Sequence, residues 1–431
     1  MYQQPHNPFI SIVIPTRDRS QLVKYCLASI ANQTFDDFEV IICDNFLLQS
    51  CFNEYRPYQK DPRFKYFHPE CSLSMCDNWE FAISKAKGEY VTVISEKYLL
   101  RTDALTTLHH ILQSKPAEMI TWWHETFNIV HSPDNKLAGT YVPHYKPQKA
   151  EYFSAQNEIE RRFSFEDVPY SRRLGPKECF GKIYSGCYHR DLIRRIQHQF
   201  GRVFSPAAPD LTSMIAALSL TKSCLDLGQP LMLACASPEL SNGYQCMVNT
   251  LKFKSYLTSY TTLIEYCKTL PLDGLWVSLN NYIARDFIFI QNKSDNSKFK
   301  EVKLNRANLL ALAKIDFQNI QEWQNPEEKS EAENQWNNLY DMLSDSNKKL
   351  VAEKIASKEW TKPCPLEIFF AGGAKTEMYQ EKLSAKKRAK INWIENQVFR
   401  IKEEFLHYNN INEALQYFDE YYQESAKILK L

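Results

Sequence analysis

Residues 9–45 constrain the fold more than any other segment, because they encode a strand, a helix and a second strand in close succession. The run 10–14 is almost continuously apolar, which is typical of a strand buried on both faces of a parallel sheet. Apolar residues recur at three- and four-residue intervals in 22–30, and they predict a helix with one buried face. A second apolar run, 38–43, completes the unit. The segment therefore predicts an α/β fold with a mostly parallel sheet flanked by helices.

Polar side chains follow both predicted strands at the points where they end. Pro15, Thr16 and Arg17 follow the first strand, and Asp44 and Asn45 follow the second. In an open α/β sheet the ligand crevice lies beyond the carboxyl ends of the strands, so we expect these residues to line one crevice. The Asp44 carboxylate would accept a hydrogen bond from a base imide or a ribose hydroxyl. The alternative is that Asp44 and Asn45 only form a turn, as these residue types often do.

The next segments extend the same pattern. Residues 64–67 indicate a strand, and residues 78–87 indicate a helix that ends at Gly88, a residue type that commonly terminates helices in the left-handed conformation. Residues 90–94 form a third apolar run. For the first helix, the sequence predicts Asp18 or Ser20 as the N-terminal cap.

The order SIVIPTRDR, VIICDN, a helix, GEY, a strand, a polar cluster and DAL resembles the inverting family 2 glycosyltransferases of GT-A fold. The resemblance covers residues 9–125 well and 180–245 loosely. It implies a Rossmann-like sheet and an enzyme that moves a sugar from a nucleoside-diphosphate sugar to a hydroxyl acceptor, in polysaccharide or surface-glycan synthesis. It further implies a nucleotide-binding role for one set of residues: Pro15, Thr16, Arg17, Arg19, Asp44 and Asn45.

The main departure from that family lies after the third strand. The family's Asp-x-Asp motif holds a divalent metal on the donor pyrophosphate, and the matching positions here are Ser95, Glu96 and Lys97. An ammonium group cannot ligate Mg²⁺ or Mn²⁺, whereas it can neutralise a phosphate directly. Three alternatives follow: chemistry with little or no metal in which Lys97 holds the pyrophosphate, metal binding through Glu96, or a decayed site with an ordinary solvated strand end.

Inverting transfer also needs a general base for the acceptor hydroxyl, and the candidate is Asp210. This residue follows a loop marked by Pro206 and Pro209 and precedes a predicted helix that starts near Leu211. It matches the position of the family's acceptor-side aspartate, although a proline stands where the family usually has glutamate. The alternative is a helix N-cap, a routine role for aspartate. Basic residues of the acceptor segment, His189, Arg190, Arg194 and Arg195, either meet an anionic group or form a solvated helix face.

The composition of the chain argues against a nucleic-acid partner and favours a cytoplasmic location. With a net charge of +1, 44% hydrophobic residues and only 11 glycines, the chain shows no sign of a nucleic-acid partner or of disorder. None of the twelve cysteines forms a C-x-x-C pair, so we expect reduced thiols in a cytoplasmic protein. The amino terminus lacks the pattern of a secretory signal, and apolar runs such as 231–236 are too short to span a bilayer.

The sequence predicts two domains. Residues 1–247 form the glycosyltransferase domain, with a nucleotide-binding half (1–125) and an acceptor half (126–247), and residues 248–431 form a mainly helical domain. Near the carboxyl terminus, apolar residues recur at helical spacing in 391–405 after a basic cluster. That stripe packs within the chain, joins two chains, or associates peripherally with an anionic membrane.

Two other functions fit parts of the pattern. A protein that binds nucleotide sugars without turnover would share the same crevice. A nucleotidyltransferase would need a glycine-rich phosphate loop directly after the first strand, and residues 15–19 contain no glycine. The second alternative is therefore the weaker one.

Overall fold

The computed structural model of the chain describes residues 7–129, 137–141, 147–167, 176–237, 240–357, 360 and 407–429. Its strands are β1 (Ile10–Thr16), β2 (Phe38–Asp44), β3 (Phe64–Phe67), β4 (Tyr90–Val93), β5 (Tyr98–Leu100), β6 (Met119–Ile129), β7 (Gly139–Thr140), β8 (Glu151–Phe153), β9 (Gly186–His189), β10 (Cys224–Ala236) and β11 (His407–Tyr408).

The helices of the first half are α1 (Ser20–Ala31), α2 (Phe52–Tyr55), α3 (Met75–Ile83), α4 (Ala104–Ser114), α5 (Ala155–Ser164), α6 (Arg190–Phe200) and α7 (Pro209–Leu220). The later helices are α8 (Asn242–Val248), α9 (Thr250–Thr258), α10 (Leu263–Cys267), α11 (Leu279–Lys293), α12 (Ser297–Glu301), α13 (Arg306–Asn319), α14 (Pro326–Asp341), α15 (Asp345–Ala356) and α16 (Ile411–Leu429). Short 3₁₀ helices span Arg56–Tyr58, Pro176–Cys179 and Ile183–Ser185.

The amino-terminal half of the sheet is parallel, as predicted. Strand β1 pairs in parallel with β2 on one side and with β4 on the other, and β2 pairs in parallel with β3. Every residue of β1 and β2 is buried, because helices cover both faces of these strands. In this register Thr16 lies opposite Asp44, so both residues reach the same edge of the sheet.

The remaining strands make the sheet mixed. Strand β9 runs antiparallel to both β4 and β6, and β10 pairs in parallel with β6 and antiparallel with β5 and β8. The backbone of Lys97, just before β5, accepts a hydrogen bond from the Cys235 amide of β10 at 2.8 Å. The pairing of β9 with β4 joins the mixed half of the sheet to the parallel half, and β10 also bonds the backbone of the Ser95–Lys97 segment.

The helices from α8 to α15 confirm the predicted helical region after the sheet. They share one apolar core with α3, α5, α6 and α7, and within it α11 packs against α7 and α13. The predicted boundary between residues 247 and 248 stays a prediction, and α8 runs across it. In the described part of the chain, no helix is both long and apolar enough to cross a membrane.

The carboxyl-terminal segment 407–429 returns to the sheet. Strand β11 pairs with β7, and the apolar face of α16 packs on β5, β6 and β10. Tyr422 donates a hydrogen bond to the buried Glu125 carboxylate, and the Thr102 amide donates to Asp419. The amphipathic stripe 391–405 and its basic cluster lie outside the described residues.

Two local predictions were wrong. Arg19 occupies the N-cap position of α1, and no side chain of the described residues forms the cap bond, so neither Asp18 nor Ser20 serves as the cap. Helix α3 ends at Ile83, before Gly88. Gly88 instead packs against β1, where an added Cβ would lie 2.4 Å from the Ser11 amide nitrogen. The glycine is required by this close approach to a neighbouring strand.

Candidate active site

The Asp44 side chain lies fully buried at the end of β2. Its Oδ2 accepts three hydrogen bonds, from the Ser50 hydroxyl at 2.9 Å, the Cys51 amide at 2.8 Å and the Tyr66 hydroxyl at 2.7 Å. Its Oδ1 has no hydrogen-bond partner among the described residues. A buried carboxylate oxygen without a hydrogen-bond donor lowers the stability of the folded protein, so its presence suggests that a ligand supplies the hydrogen-bond donor.

The residues beside Asp44 divide into two kinds. Pro15 and Thr16 are buried at the end of β1, and the Thr16 hydroxyl is a second buried oxygen without a partner in the described ranges. Asn45 differs, because its side-chain amide donates to the Leu73 carbonyl at 3.0 Å and accepts from the Leu73 amide at 3.1 Å. The observed bonds of Asn45 thus hold the loop before α3, and its predicted nucleotide contact stays a prediction.

The two predicted arginines have different environments. Arg17 is exposed and donates to the Asn45 carbonyl at 3.1 Å and to the Leu73 carbonyl. Arg19 is partly buried and bridges two parts of the chain, since it donates to the Glu96 carboxylate at 3.0 Å and to the Asn242 side chain of α8 at 3.2 Å. Of the two, Arg19 lies beside the predicted pyrophosphate segment.

Asp18 has a role that sequence reasoning missed. Its Oδ1 accepts hydrogen bonds from three consecutive amides, those of Leu47, Leu48 and Gln49, at 2.8–3.0 Å. Although burial opposes ionisation, these amides lower the pKa of Asp18. The carboxylate therefore ties the end of β1 to the loop after β2, and its positive φ of 54° allows this reach.

Ser95, Glu96 and Lys97 follow β4, and they lie at the same sheet edge as Thr16 and Asp44 because the strands are parallel. Glu96 is buried and ion-paired with Arg19. Burial and the Arg19 cation lower the pKa of Lys97, whereas Glu96 and Asp210 act in the opposite direction. Arg19, Glu96 and Lys97 thus form a charged cluster with two cations and one anion.

This cluster does not fit a divalent metal well. Glu96, the candidate metal ligand, is ion-paired with the Arg19 guanidinium group and is followed in sequence by the Lys97 ammonium group. No group of three or more His, Cys, Asp or Glu side chains is placed to hold a metal ion within the described residues. Mg²⁺ and Mn²⁺ bind through oxygen ligands with little competition from cations, so the residues present suit direct binding of an anion better.

Asp210 is the second residue of α7, whose N-cap position is held by Ala208 without a side-chain cap. Burial raises the pKa of Asp210, while the ammonium groups of Lys182 and Lys97 act against that rise. The interaction with Lys97 brings Asp210 into the electrostatic environment of the predicted donor cluster. The Asp210 carboxylate also interacts with its own amide and that of Leu211 at the start of α7, so both the general base and the helix-start acceptor stay predictions.

Two further residues that interact electrostatically with Asp210 or Lys97 were not identified from the sequence. Lys182 is 3% exposed and donates to the Tyr184 hydroxyl at 3.2 Å. His124 Nδ1 lies 2.9 Å from the Ser185 hydroxyl, and burial together with Lys97 and Lys182 lowers the His124 pKa to about 3. The histidine is thus neutral near pH 7. Neither residue belongs to a local motif, so only the tertiary structure reveals them.

The basic residues of the acceptor segment bind their own neighbours. Arg190 donates to the Gly88 carbonyl at 2.8 Å, and Arg195 is ion-paired with Glu118 at 2.5 Å. Arg194 lies on the exposed face of α6, and the His189 side chain caps that helix. These contacts favour the structural alternative for this group.

Comparison with known proteins finds similarity in the first part of the chain. Residues 11–166 match the family model "Glycosyl transferase family 2". The putative colanic acid biosynthesis glycosyl transferase WcaA of Escherichia coli K12 is 34% identical over 92 residues, which are 21% of this chain and 33% of that protein. The GalNAc(5)-diNAcBac-PP-undecaprenol beta-1,3-glucosyltransferase of Campylobacter jejuni is 32% identical over 103 residues, 23% of this chain and 33% of that protein.

Solved structures give more distant matches. Staphylococcus aureus TarS has a TM-score of 0.43 at 14% identity, over 72% of this chain and 54% of that one. The mannosyltransferase PcManGT of Pyrobaculum calidifontis, solved with GDP-Man and Mn²⁺, has a TM-score of 0.43 at 12% identity, over 88% and 89% of the two chains. The two curated relatives above are each matched over 33% of their length. The match over residues 11–166 agrees with the resemblance to family 2 glycosyltransferases that the sequence motifs predicted.

Proposed function

We propose that this protein transfers a sugar from a nucleoside-diphosphate sugar to a hydroxyl group of a glycan or other acceptor, with inversion at the anomeric carbon. The observation that carries the proposal is the buried Asp44 Oδ1, which has no partner among the described residues and lies at the carboxyl edge of the strands, inside the segment that matches the family 2 model. The position of this oxygen supports a hydrogen bond from the nucleoside, donated by a base imide or a ribose hydroxyl.

Asp210 is the proposed general base. Its carboxylate takes the proton of the acceptor hydroxyl as the acceptor oxygen forms a bond to the anomeric carbon, and the bond from that carbon to the diphosphate oxygen breaks. The electron pair of the broken bond stays on the departing nucleoside diphosphate. Burial raises the Asp210 pKa, which makes its carboxylate a stronger base once ionised.

Lys97 and Arg19 are the proposed cations for the departing diphosphate. Fixed positive groups in a water-poor site stabilise negative charge where it develops, without reorganisation during the reaction. Glu96 keeps Arg19 oriented through their 3.0 Å ion pair. No step here requires a metal ion, because the residues after β4 do not fit one.

The acceptor, the compartment and any membrane association are proposals as well. Two curated relatives have names that refer to colanic acid biosynthesis and to an undecaprenol-linked glycan, and they support a role in polysaccharide or surface-glycan synthesis. Each of the eleven described cysteines is a free thiol, which supports a cytoplasmic location. The basic, amphipathic segment before residue 406 motivates the proposal of peripheral binding to an anionic membrane.

The second candidate is a protein that binds nucleotide sugars with little or no turnover. It is favoured by one observation, the replacement of a metal-binding motif by Ser95, Glu96 and Lys97. The two candidates share a nucleotide site and differ in chemistry.

One experiment separates them. UDP-glucose, UDP-N-acetylglucosamine and GDP-mannose are tested for thermal stabilisation of the protein and for release of nucleoside diphosphate, with water as the acceptor. A ligand that binds only the folded state raises the melting temperature. We expect one nucleotide sugar both to stabilise the protein and to be hydrolysed slowly, with release about 10²- to 10⁴-fold slower in Asp210→Asn. Stabilisation without release would support the binding protein, and neither effect with any nucleotide sugar would refute both candidates.

A further inference from the structure

Asp286 of α11 is a carboxylate with 0% exposure in the helical region. Its Oδ2 accepts a hydrogen bond from the Ala208 amide at 2.8 Å, and its Oδ1 accepts one from the Arg285 guanidinium at 2.8 Å. Ala208 is the N-cap residue of α7, and alanine has no oxygen with which to satisfy the free amides of a helix start. A carboxylate 78 residues further along the chain therefore supplies an acceptor for the amide of the residue at which α7 begins.

A second side chain of the helical region binds the neighbouring residue. The Tyr256 hydroxyl of α9 donates to the Ala207 carbonyl at 2.6 Å, so Ala207 and Ala208 are held by two different helices. The opposite end of the same loop is bound from α3, where the Glu80 carboxylate accepts from the Val203 and Phe204 amides at 3.0–3.3 Å. The loop that leads to α7 is thus fixed at both ends.

These contacts bear on Asp210 because it lies two residues after Ala208. Its carboxylate interacts with amides of the first turn of α7, its own and that of Leu211. A shift of the start of α7 therefore moves the carboxylate with it. Displacements of about 1 Å at a reacting group can lower a rate by about 10².

We propose that Asp286 and Tyr256 are positioning residues that hold Asp210 in place, so that the helical region after the sheet has a direct part in the chemistry of the crevice. This inference rests on the proposed function for the meaning of Asp210. The contact that it invokes, between the helical region and the start of α7, can be measured without turnover.

Tyr256→Phe is the main test, because it removes one hydroxyl and keeps the ring. Tyr266→Phe is the matched control: Tyr266 lies buried in the same helical core, and its hydroxyl has no hydrogen-bond partner among the described residues. Asp286→Asn is the second variant, since its amide nitrogen must face either the Ala208 amide or Arg285, both donors. Amide hydrogen exchange in peptides covering 203–215 is measured for all four proteins, together with release of nucleoside diphosphate from the donor that stabilises the unmodified protein.

We expect exchange at residues 207–212 to be about tenfold faster in Tyr256→Phe and Asp286→Asn than in Tyr266→Phe, because each variant disrupts a buried hydrogen bond to Ala207 or Ala208. Tyr256→Phe also removes the acceptor of the Tyr260 and Tyr282 hydroxyls, which lie 3.4 Å from it. We also expect kcat to fall about tenfold while the donor KM stays within a factor of two, because the proposed donor contacts lie on other elements. Exchange and kcat equal to those of the Tyr266→Phe control would overturn the inference while leaving the proposed function standing. If the unmodified protein releases no nucleoside diphosphate, the proposed function fails, and the exchange result alone decides whether the helical region fixes the start of α7.

Discussion

Asp44→Asn should weaken nucleotide binding strongly while leaving the loop around it intact. The three donors at Oδ2 fix the orientation of the new amide, because its oxygen must remain where the Ser50, Cys51 and Tyr66 donors converge. The amide nitrogen then occupies the position of Oδ1, which has no partner among the described residues. The substitution therefore converts the one available acceptor into a donor.

The expected change in the dissociation constant follows from the loss of this hydrogen-bond acceptor. A hydrogen bond to a charged group contributes about 1.5–3 kcal/mol, so the dissociation constant should rise about 10- to 150-fold. Isothermal titration calorimetry with UDP and with GDP measures this change, and circular dichroism checks that the fold is retained.

Tyr66→Phe is the matched control for this experiment. It removes one of the three donors to Oδ2 and leaves Oδ1 unchanged, so it should lower the melting temperature by a few degrees and change the dissociation constant less than threefold. If Asp44→Asn binds the nucleotide as tightly as the unmodified protein, Oδ1 does not contact the nucleoside and the reasoning from its missing partner is refuted.

Three further results are expected from the charged residues of the crevice. Lys97→Met should lower kcat about 10²-fold and EDTA should leave activity unchanged, because we propose a fixed cation, in place of a metal, as the group that stabilises the departing diphosphate. Loss of activity in EDTA with recovery in Mn²⁺ would contradict this. Asp210→Asn should lower kcat about 10²- to 10⁴-fold with an unaltered dissociation constant for UDP, because it removes only the basic oxygen; an unaffected rate would exclude it as the base. Lys182→Met should move the acid limb of the pH–rate profile to higher pH. The Lys182 ammonium group opposes the rise in the Asp210 pKa that burial causes, so its removal should raise that pKa further. An acid limb that stays in place or moves to lower pH would show that Lys182 does not act on the base.

The local pattern of the sequence was sufficient for the parallel half of the sheet. The apolar runs that became β1 and β2 are short and carry no alternation, and such runs are stable only where both faces are covered. Once these strands are parallel, Thr16 and Asp44 must share an edge, so the position of the crevice followed from chain order alone. The family resemblance came from the same residues.

The outcome for Asp18 depended on the tertiary structure. Residues 18–20 looked like a helix start, yet the Asp18 carboxylate accepts from three amides about thirty residues away in sequence. The Asp18 carboxylate could accept hydrogen bonds either from the amides of its own helix or from amides distant in sequence. The sequence pattern does not show which of these amides is closer in space. The same limit applies to Gly88, whose necessity comes from the adjacent backbone of β1.

The surroundings of Asp210 show what only the tertiary structure decided. The sequence identified this residue through its loop and its following helix. Packing between elements distant in sequence brings Lys182 near Asp210 and brings Asp286 and Tyr256 to the two alanines at the start of α7. An apolar stripe determines that a helix such as α11 or α16 has a buried face, because burial of that face stabilises it. It does not determine which surface that face covers, since many apolar surfaces are equally favourable until shape and hydrogen bonding select one.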